Sequence, residues 1–208
     1  MSALPNAIQW IEFNARDPSA EAVLQAIDAA IVAAGERIEE AEKFNDDEQL
    51  DFVIDSECEV LESLLGTAFV VSQTRITAIC SAVLSAYDHL APEQRVKLTF
   101  AKSKSDVLGV GPLVSGTTHS EVTAINALAN YFKHRDEWPG IDWTKLTGAS
   151  RDTSQIVSAL GLSPLSTGNL RRGAKVFGWS AEKGGSIHLI TAAIARWADD
   201  VVRQLRSV

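Results

Sequence analysis

Cysteine and methionine are scarce in this chain. Its 208 residues include two cysteines, Cys58 and Cys80, and one methionine. The cysteines do not form a CxxC pair, and no histidine accompanies them at the spacing of a zinc site. They are therefore predicted to be small buried side chains in a reducing compartment, with a structural disulfide as the alternative.

Long hydrophobic runs are also missing. No apolar stretch approaches the roughly 20 residues that a membrane-spanning helix needs. The N-terminal segment MSALPNAIQWIEFNARDP lacks the basic start and continuous apolar core of a signal peptide. With 46% hydrophobic and 22% charged residues, the composition is typical of a soluble globular protein. These features predict a cytoplasmic protein without a membrane partner.

Positive charge is in deficit. The chain has 19 Lys and Arg residues and 27 Asp and Glu residues, which gives a formal net charge of −8. This balance disfavours broad attraction to nucleic acid or to an anionic membrane. A nucleic-acid function would require a local basic cleft.

Helical periodicity is the strongest pattern that the sequence contains. Apolar stripes predict long helices over residues 18–43, 47–90, 120–137 and 184–206, with 47–90 either one bent helix or two stacked ones. The stripes comprise Val23, Ile27, Ile31, Ile38, Leu50, Ile54, Leu61, Leu65, Phe69, Ile76, Val83, Leu90, Ile187, Ile190, Ile194, Trp197, Val201 and Leu205. The prediction is an all-α fold, one domain over residues 1–208, in which long antiparallel helices form a bundle with short C-terminal helices.

Shorter elements fill the remaining sequence. A short helix is predicted from Pro92 to Phe100, followed by an irregular loop over residues 102–116 that is rich in glycine. Two more short helices are predicted, over 153–160 and 168–177. Three tryptophans, at positions 138, 143 and 179, are expected to pack these helices onto the bundle, or to mark a binding surface if they are exposed.

The segment ALANYFKHRDEW, residues 127–138, concentrates the chemistry-bearing side chains. On a helix, Val122, Ile125, Leu128 and Phe132 gather on one apolar arc that faces the core. Asn130 and His134 lie four residues apart on roughly the opposite side, with Ala127 beside them. They are predicted to face solvent, a partner surface or a cleft.

The run Asn130-Tyr131-Phe132-Lys133-His134 resembles the end of the Arg-polar-x-x-x-His signature of HEPN proteins. These are all-helical domains common in bacterial toxin and phage-defence systems. In catalytic members the resemblance implies a metal-independent ribonuclease, in which a homodimer brings two motifs into one cleft. For this chain it implies a ribonuclease or RNA-binding component of such a system.

The family's arginine position holds Ala129 here, so only Asn130 and His134 carry over as catalytic candidates. An imidazole that titrates near neutrality can move the proton of a ribose 2′-hydroxyl or of the leaving oxygen. A cation must also stabilise the charged phosphorane. Lys133 and Arg135 are the nearest candidates for binding phosphate, and this helix face is predicted to lie at a homodimer contact.

A second basic cluster lies at the start of the last short helix. Arg171, Arg172 and Lys175 follow Gly168, where free backbone N–H groups also favour an anion. These three cations are candidates for binding phosphate. The alternative is a capped helix with an ordinary basic first turn.

The sequence predicts no cofactor and no metal site. His89, His119 and His188 have no partner at metal-ligand spacing, and the acids of the long helix, Asp55, Glu57, Glu59 and Glu62, are expected to form its solvated side. The alternative function is a non-catalytic helical interaction module, such as an immunity protein or antitoxin with a cognate protein partner. The acidic net charge favours this alternative.

Overall fold

A computed structural model of the chain describes residues 3–43, 47–138, 142–163, 166, 168–179 and 187–207. Across these ranges the regular structure is helical and no strand occurs. One isolated antiparallel bridge joins Leu113 and Ser120. The predicted all-α bundle is confirmed.

The helices vary widely in length. In chain order they are α1 (Ala3–Ala15), α2 (Pro18–Ala41), α3 (Asp47–Asp88), α4 (Pro92–Arg95), α5 (Lys104–Leu108), α6 (Glu121–Lys133), α7 (Gly148–Ala159), α8 (Asn169–Lys175) and α9 (Ile187–Leu205). Short 3-10 turns are formed by Thr99–Ala101 and Trp143–Lys145.

Helix α3 is the centre of the bundle. Its 42 residues form one continuous helix, which decides between the two predicted arrangements. Helices α1, α2, α6, α8 and α9 all pack against it. Phe69, Ile76, Ile79 and Val83 on this helix are fully buried. Burial of so much apolar surface is the main force that holds the long helices together.

Contacts between paired helices show that neighbours run antiparallel. Arg37 on α2 contacts Glu57 on α3. Glu12 on α1 contacts Arg206, which directly follows α9, and Arg16, which directly follows α1, contacts Asp199 on α9. In each pair, residues later on one helix meet residues earlier on the other. The predicted antiparallel packing is therefore observed.

Side-chain caps define the first residues of α2 and α6. The Asp17 carboxylate accepts a hydrogen bond from the Ser19 amide at 2.9 Å, and Pro18 occupies the first turn of α2. The Ser120 hydroxyl accepts from the Thr123 amide at 3.1 Å at the start of α6. Both caps satisfy backbone donors that have no partner inside the helix.

Arg75 is a buried cation in the middle of α3. It is 2% exposed and donates to the backbone carbonyls of Asn14 and Ala15, where α1 ends, with Glu21 3.6 Å away. Burial lowers the pKa of the guanidinium, and the nearby Glu21 carboxylate opposes that effect. Arg75 thereby connects the end of α1 to the start of α2.

Some predicted elements need correction. Helix α1 was not predicted, and α5 lies inside the segment that was expected to be an irregular loop, because Ser103 caps it and Val107 and Leu108 are buried. Helix α6 ends at Lys133 and not at 137. Residues 184–186 of the predicted final helix lie outside the described residues.

Cys80 and the three tryptophans are buried as predicted, whereas Cys58 is only partly buried and corrects the prediction for that cysteine. Cys58 and Cys80 are free thiols, and burial raises the pKa of Cys80 to about 12. Trp138, Trp143 and Trp179 are all buried, so they pack the short helices and do not mark an open surface.

Within the described ranges, one segment is long and apolar enough to cross a membrane by length and composition. It covers Leu50–Asp88 of α3, and half of its most apolar window is buried inside the bundle. The core helix of a soluble protein has the same properties.

Candidate functional site

The C-terminal end of α6 carries the candidate motif and is held against α3. Phe132 packs directly onto Gly66 of α3. The Trp138 indole donates to the Tyr131 carbonyl at 2.9 Å, in the last turn of the helix. His134 follows the last helical residue and has a non-helical backbone, with φ −111° and ψ 17°.

Asn130 faces α3 and not open solvent. Its side-chain oxygen accepts a hydrogen bond from Gln73 Nε2 at 2.8 Å, and the same Gln73 nitrogen also donates to Asn126 Oδ1 at 3.0 Å. Lys133 Nζ donates to Gln73 Oε1 at 2.8 Å. Asn130 and Lys133 are therefore parts of a polar contact between two helices.

His134 has a different environment. Its side chain is 53% exposed, and its Nδ1 lies 3.1 Å from a carboxylate oxygen of Glu137. Because Asn130 is turned toward α3, the predicted shared outward face of Asn130 and His134 is wrong.

Ala129 and Ala127 lie in the core. Ala129 is 0% exposed and Ala127 is 1% exposed, so the prediction that Ala127 lies on the outward face is also wrong. The position at which the HEPN signature has an arginine therefore lies among packed side chains. A guanidinium at this position would be buried among apolar groups.

Arg135 reaches across to α3. Its guanidinium donates to Ser63 Oγ at 3.2 Å and lies 4.9 Å from the centre of the Phe132 ring. Asp136 is 3.7 Å away. Lys133 and Arg135 therefore contact different residues of α3, Gln73 and Ser63, and the structure does not bring them together.

The backbone donors at the start of α8 already hold an anion. Glu62 accepts hydrogen bonds from the amides of Leu170 and Arg171, at 2.9 and 3.1 Å, and from Arg171 Nε at 3.1 Å. Arg172 donates to Ser166, and Lys175 is exposed. Glu62 thus occupies the place predicted for phosphate, and it is not a solvated side chain as expected.

A cleft of about 600 Å³ lies between α3, α6 and α8. It is lined by Asp55, Cys58, Glu59, Glu62, Ser63, Tyr131, Arg135, Ser166, Gly168, Asn169, Leu170 and Arg171. One arginine from each predicted basic cluster, Arg135 and Arg171, therefore lines the same cleft. Arg172 and Lys175 do not line it.

The buried side of the cleft is formed by an aromatic and an amide. Asn169 is 2% exposed; its Nδ2 donates to Tyr131 Oη and to the Ser163 carbonyl, both at 2.8 Å. Its Oδ1 is buried and has no hydrogen-bond partner. The Tyr131 ring stacks on Trp138 at a centroid distance of 5.8 Å. Asn169 is therefore the polar group in the cleft with an unused buried acceptor.

Across the residues that the structure describes, no three His, Cys, Asp or Glu side chains are grouped as a metal-ion site would require. Family models, curated proteins and solved structures contain no match to this chain.

Sequence reasoning missed three residues that organise this region: Glu62, Gln73 and Asn169. The sequence predicts a solvated Glu62 because the helix stripe alone does not show which short helix packs against that side. The run Ser72-Gln73-Thr74-Arg75, polar in an otherwise apolar part of α3, was a signal that could have identified Gln73. Nothing in the local sequence distinguishes Asn169.

Proposed function

We propose that this chain is a non-catalytic helical interaction module that binds a cognate protein partner, in the manner of an immunity protein or an antitoxin. The environment of the motif supports this reading: Ala129 is buried, Asn130 is bonded to Gln73, and His134 is exposed beside Glu137. Cleavage of RNA through His134 would need that histidine and a cation to converge on one phosphate. The described residues do not supply that convergence in one chain.

The charge of the chain favours a basic partner. The net charge is −8, and the cleft carries three carboxylates, Asp55, Glu59 and Glu62, against two guanidiniums. Electrostatic complementarity of this kind speeds association and selects the partner. A toxin that acts on nucleic acid would carry the matching basic surface. The proposed location is the cytoplasm, where such a partner would act.

Co-expression tests the proposal. The genes on either side of this protein's own gene are expressed alone and together with it. We expect one neighbouring product to arrest growth alone, and growth to recover when this chain is present. The two proteins should then elute as one complex in size-exclusion chromatography. A toxic neighbour that stays toxic and forms no complex would count against the proposal.

A second candidate is a HEPN-like ribonuclease or RNA-binding protein that works as a homodimer. The observation that favours it is the exposure of Lys133, His134 and Arg135 at the end of α6, where a second copy of the chain could add a surface. It would then be part of a bacterial defence or toxin system.

Metal-free RNA cleavage separates the two candidates. The first proposal predicts no cleavage by the unchanged chain. His89→Ala is the matched control, since His89 is also an exposed histidine. If the unchanged chain cleaves RNA, and cleavage is lost in His134→Ala but kept in His89→Ala, the ribonuclease function is supported and the interaction-module proposal fails. Light scattering measures whether the chain is a dimer under the same conditions.

A further inference from the structure

The cleft between α3, α6 and α8 contains acceptors without donors. Asp55 and Glu59 are exposed, four residues apart on α3, and neither has a hydrogen-bond or ion-pair partner among the described residues. Helical geometry places side chains at this spacing on one face. Asn169 adds a buried Oδ1 that also lacks a partner. These three side chains give the cleft carboxylate and amide oxygens that accept no hydrogen bond from the described residues.

Each arginine that lines the cleft donates to another group of the chain. Arg171 donates to Glu62 and, at 3.1 Å, to Cys58 Sγ. Arg135 donates to Ser63 and lies over the Phe132 ring. Because Arg171 and Glu62 neutralise each other, the charge left over is two carboxylates against one guanidinium. A phosphate would therefore meet net repulsion here.

We propose that the cleft binds the guanidinium of an arginine side chain presented by the partner protein, which rests on the proposed function as an interaction module. Arginine has five N–H donors in one plane and suits several acceptors at once. Asp55 and Glu59 supply the charge, and Asn169 supplies a buried acceptor that no group of the chain satisfies. Tyr131, whose ring already stacks on Trp138, lines the buried side of the cleft next to Asn169.

Binding includes a side-chain movement. Asn169 Oδ1 is covered in the free chain, so a ligand N–H reaches it only after a neighbouring group shifts. We assign this movement to Arg171, which follows Asn169 in α8, lines the same cleft and has a side chain that is 32% exposed. Its movement would open the cleft beside Tyr131 and change the fluorescence of the Tyr131–Trp138 stack.

Titration with blocked amino acids tests this site on the full chain. N-acetyl-arginine amide is compared with N-acetyl-citrulline amide, which keeps the shape of the side chain but has no charge. Binding is followed by backbone amide shifts in NMR spectra and by tryptophan fluorescence. We expect the arginine compound to bind at least about tenfold more tightly, with shifts at Asn169 and Arg171. Equal affinity for the two compounds would overturn the proposal.

Charge-neutralising variants locate the site. Asp55→Asn with Glu59→Gln should weaken binding of N-acetyl-arginine amide by about tenfold or more. Glu36→Gln with Glu40→Gln is the matched control, since these two exposed acids are also four residues apart but lie on α2. Equal losses in both double variants would show a non-specific charge effect and reject the cleft. Circular dichroism checks that all variants are folded.

A third ligand identifies the source of the arginine. Free L-arginine should bind no more tightly than the blocked amide. If it binds more than about tenfold more tightly, the cleft recognises a free amino acid and the partner proposal fails. If the partner complex forms but the Asp55/Glu59 double variant keeps full affinity for the partner, this inference fails while the proposed function stands.

Discussion

Phe132 of α6 lies directly against Gly66 of α3. A Cβ atom placed on Gly66 would fall 2.1 Å from Phe132 Cδ2, closer than any non-bonded carbon contact permits. The two helices therefore approach each other closely at this point. This contact holds the end of α6, and with it Arg135, beside the cleft.

Gly66→Ala should lower the free energy of unfolding by about 1–3 kcal/mol, because the added methyl forces Phe132 away from α3. Urea denaturation measures the change. Gly35→Ala on α2 is the matched control: nothing lies within 4 Å of its Cβ position, so it should stabilise the chain by about 0.5–1 kcal/mol. Equal effects in the two variants would refute the close contact.

Ala129→Arg should destabilise the chain by about 3 kcal/mol or more, because it places an unpaired charge in the core. Ala29→Arg on the exposed side of α2 should change stability by less than about 0.5 kcal/mol. Thermal denaturation and RNA cleavage are measured on both. A stable Ala129→Arg protein that cleaves RNA would contradict the buried position and support the ribonuclease.

Arg75→Met should cost about 1–3 kcal/mol, because the carbonyls of Asn14 and Ala15 lose their buried donor. Arg206→Met removes a surface ion pair with Glu12 and should cost less than about 1 kcal/mol. Urea denaturation of both variants checks the comparison. If Arg75→Met lowers the free energy of unfolding no more than Arg206→Met does, Arg75 does not hold the end of α1.

Glu62→Gln should loosen α8, since the amide of glutamine binds the Leu170 and Arg171 donors without a negative charge. We expect a loss of about 1–2 kcal/mol in unfolding free energy and faster hydrogen exchange at these two amides. Glu12→Gln, at a surface ion pair, is the control. Unchanged exchange at Leu170 and Arg171 would refute the role of Glu62.

Acid should remove the contribution of the Arg37–Glu57 pair. The hydrogen bond from Arg37 lowers the pKa of Glu57 from its ordinary value of 4.5. A carboxylate whose pKa is lower in the folded chain than in the unfolded chain stabilises the fold at pH values above its unfolded-state pKa. This stabilisation is lost as the pH falls through the folded-state pKa. Glu57→Gln should therefore be less stable than the unchanged chain at neutral pH and differ less at about pH 3. A difference independent of pH would contradict this assignment.

The long helices could be predicted from the sequence because their evidence is local. An apolar stripe with helical spacing, as in Ile187 to Leu205, identifies both the element and its buried side. Caps such as Asp17 and Ser120 mark first residues for the same reason. The sequence does not predict α1, because its apolar stripe is short and begins next to Pro5. It predicts a longer α6 than the structure has, because the residues after Lys133 are charged and favour a helix.

The candidate site depended on contacts between residues far apart in sequence. Asn130 lies four residues from His134, but its environment is decided by Gln73, 57 residues away, and that of Arg171 by Glu62, 109 residues away. Helical spacing predicts the direction of a side chain from one helix axis only. It carries no information about which helix lies opposite. The sequence alone therefore determined the helices and the acidic charge, and the packing of α3 against α6 and α8 decided which polar groups were used and which remained free.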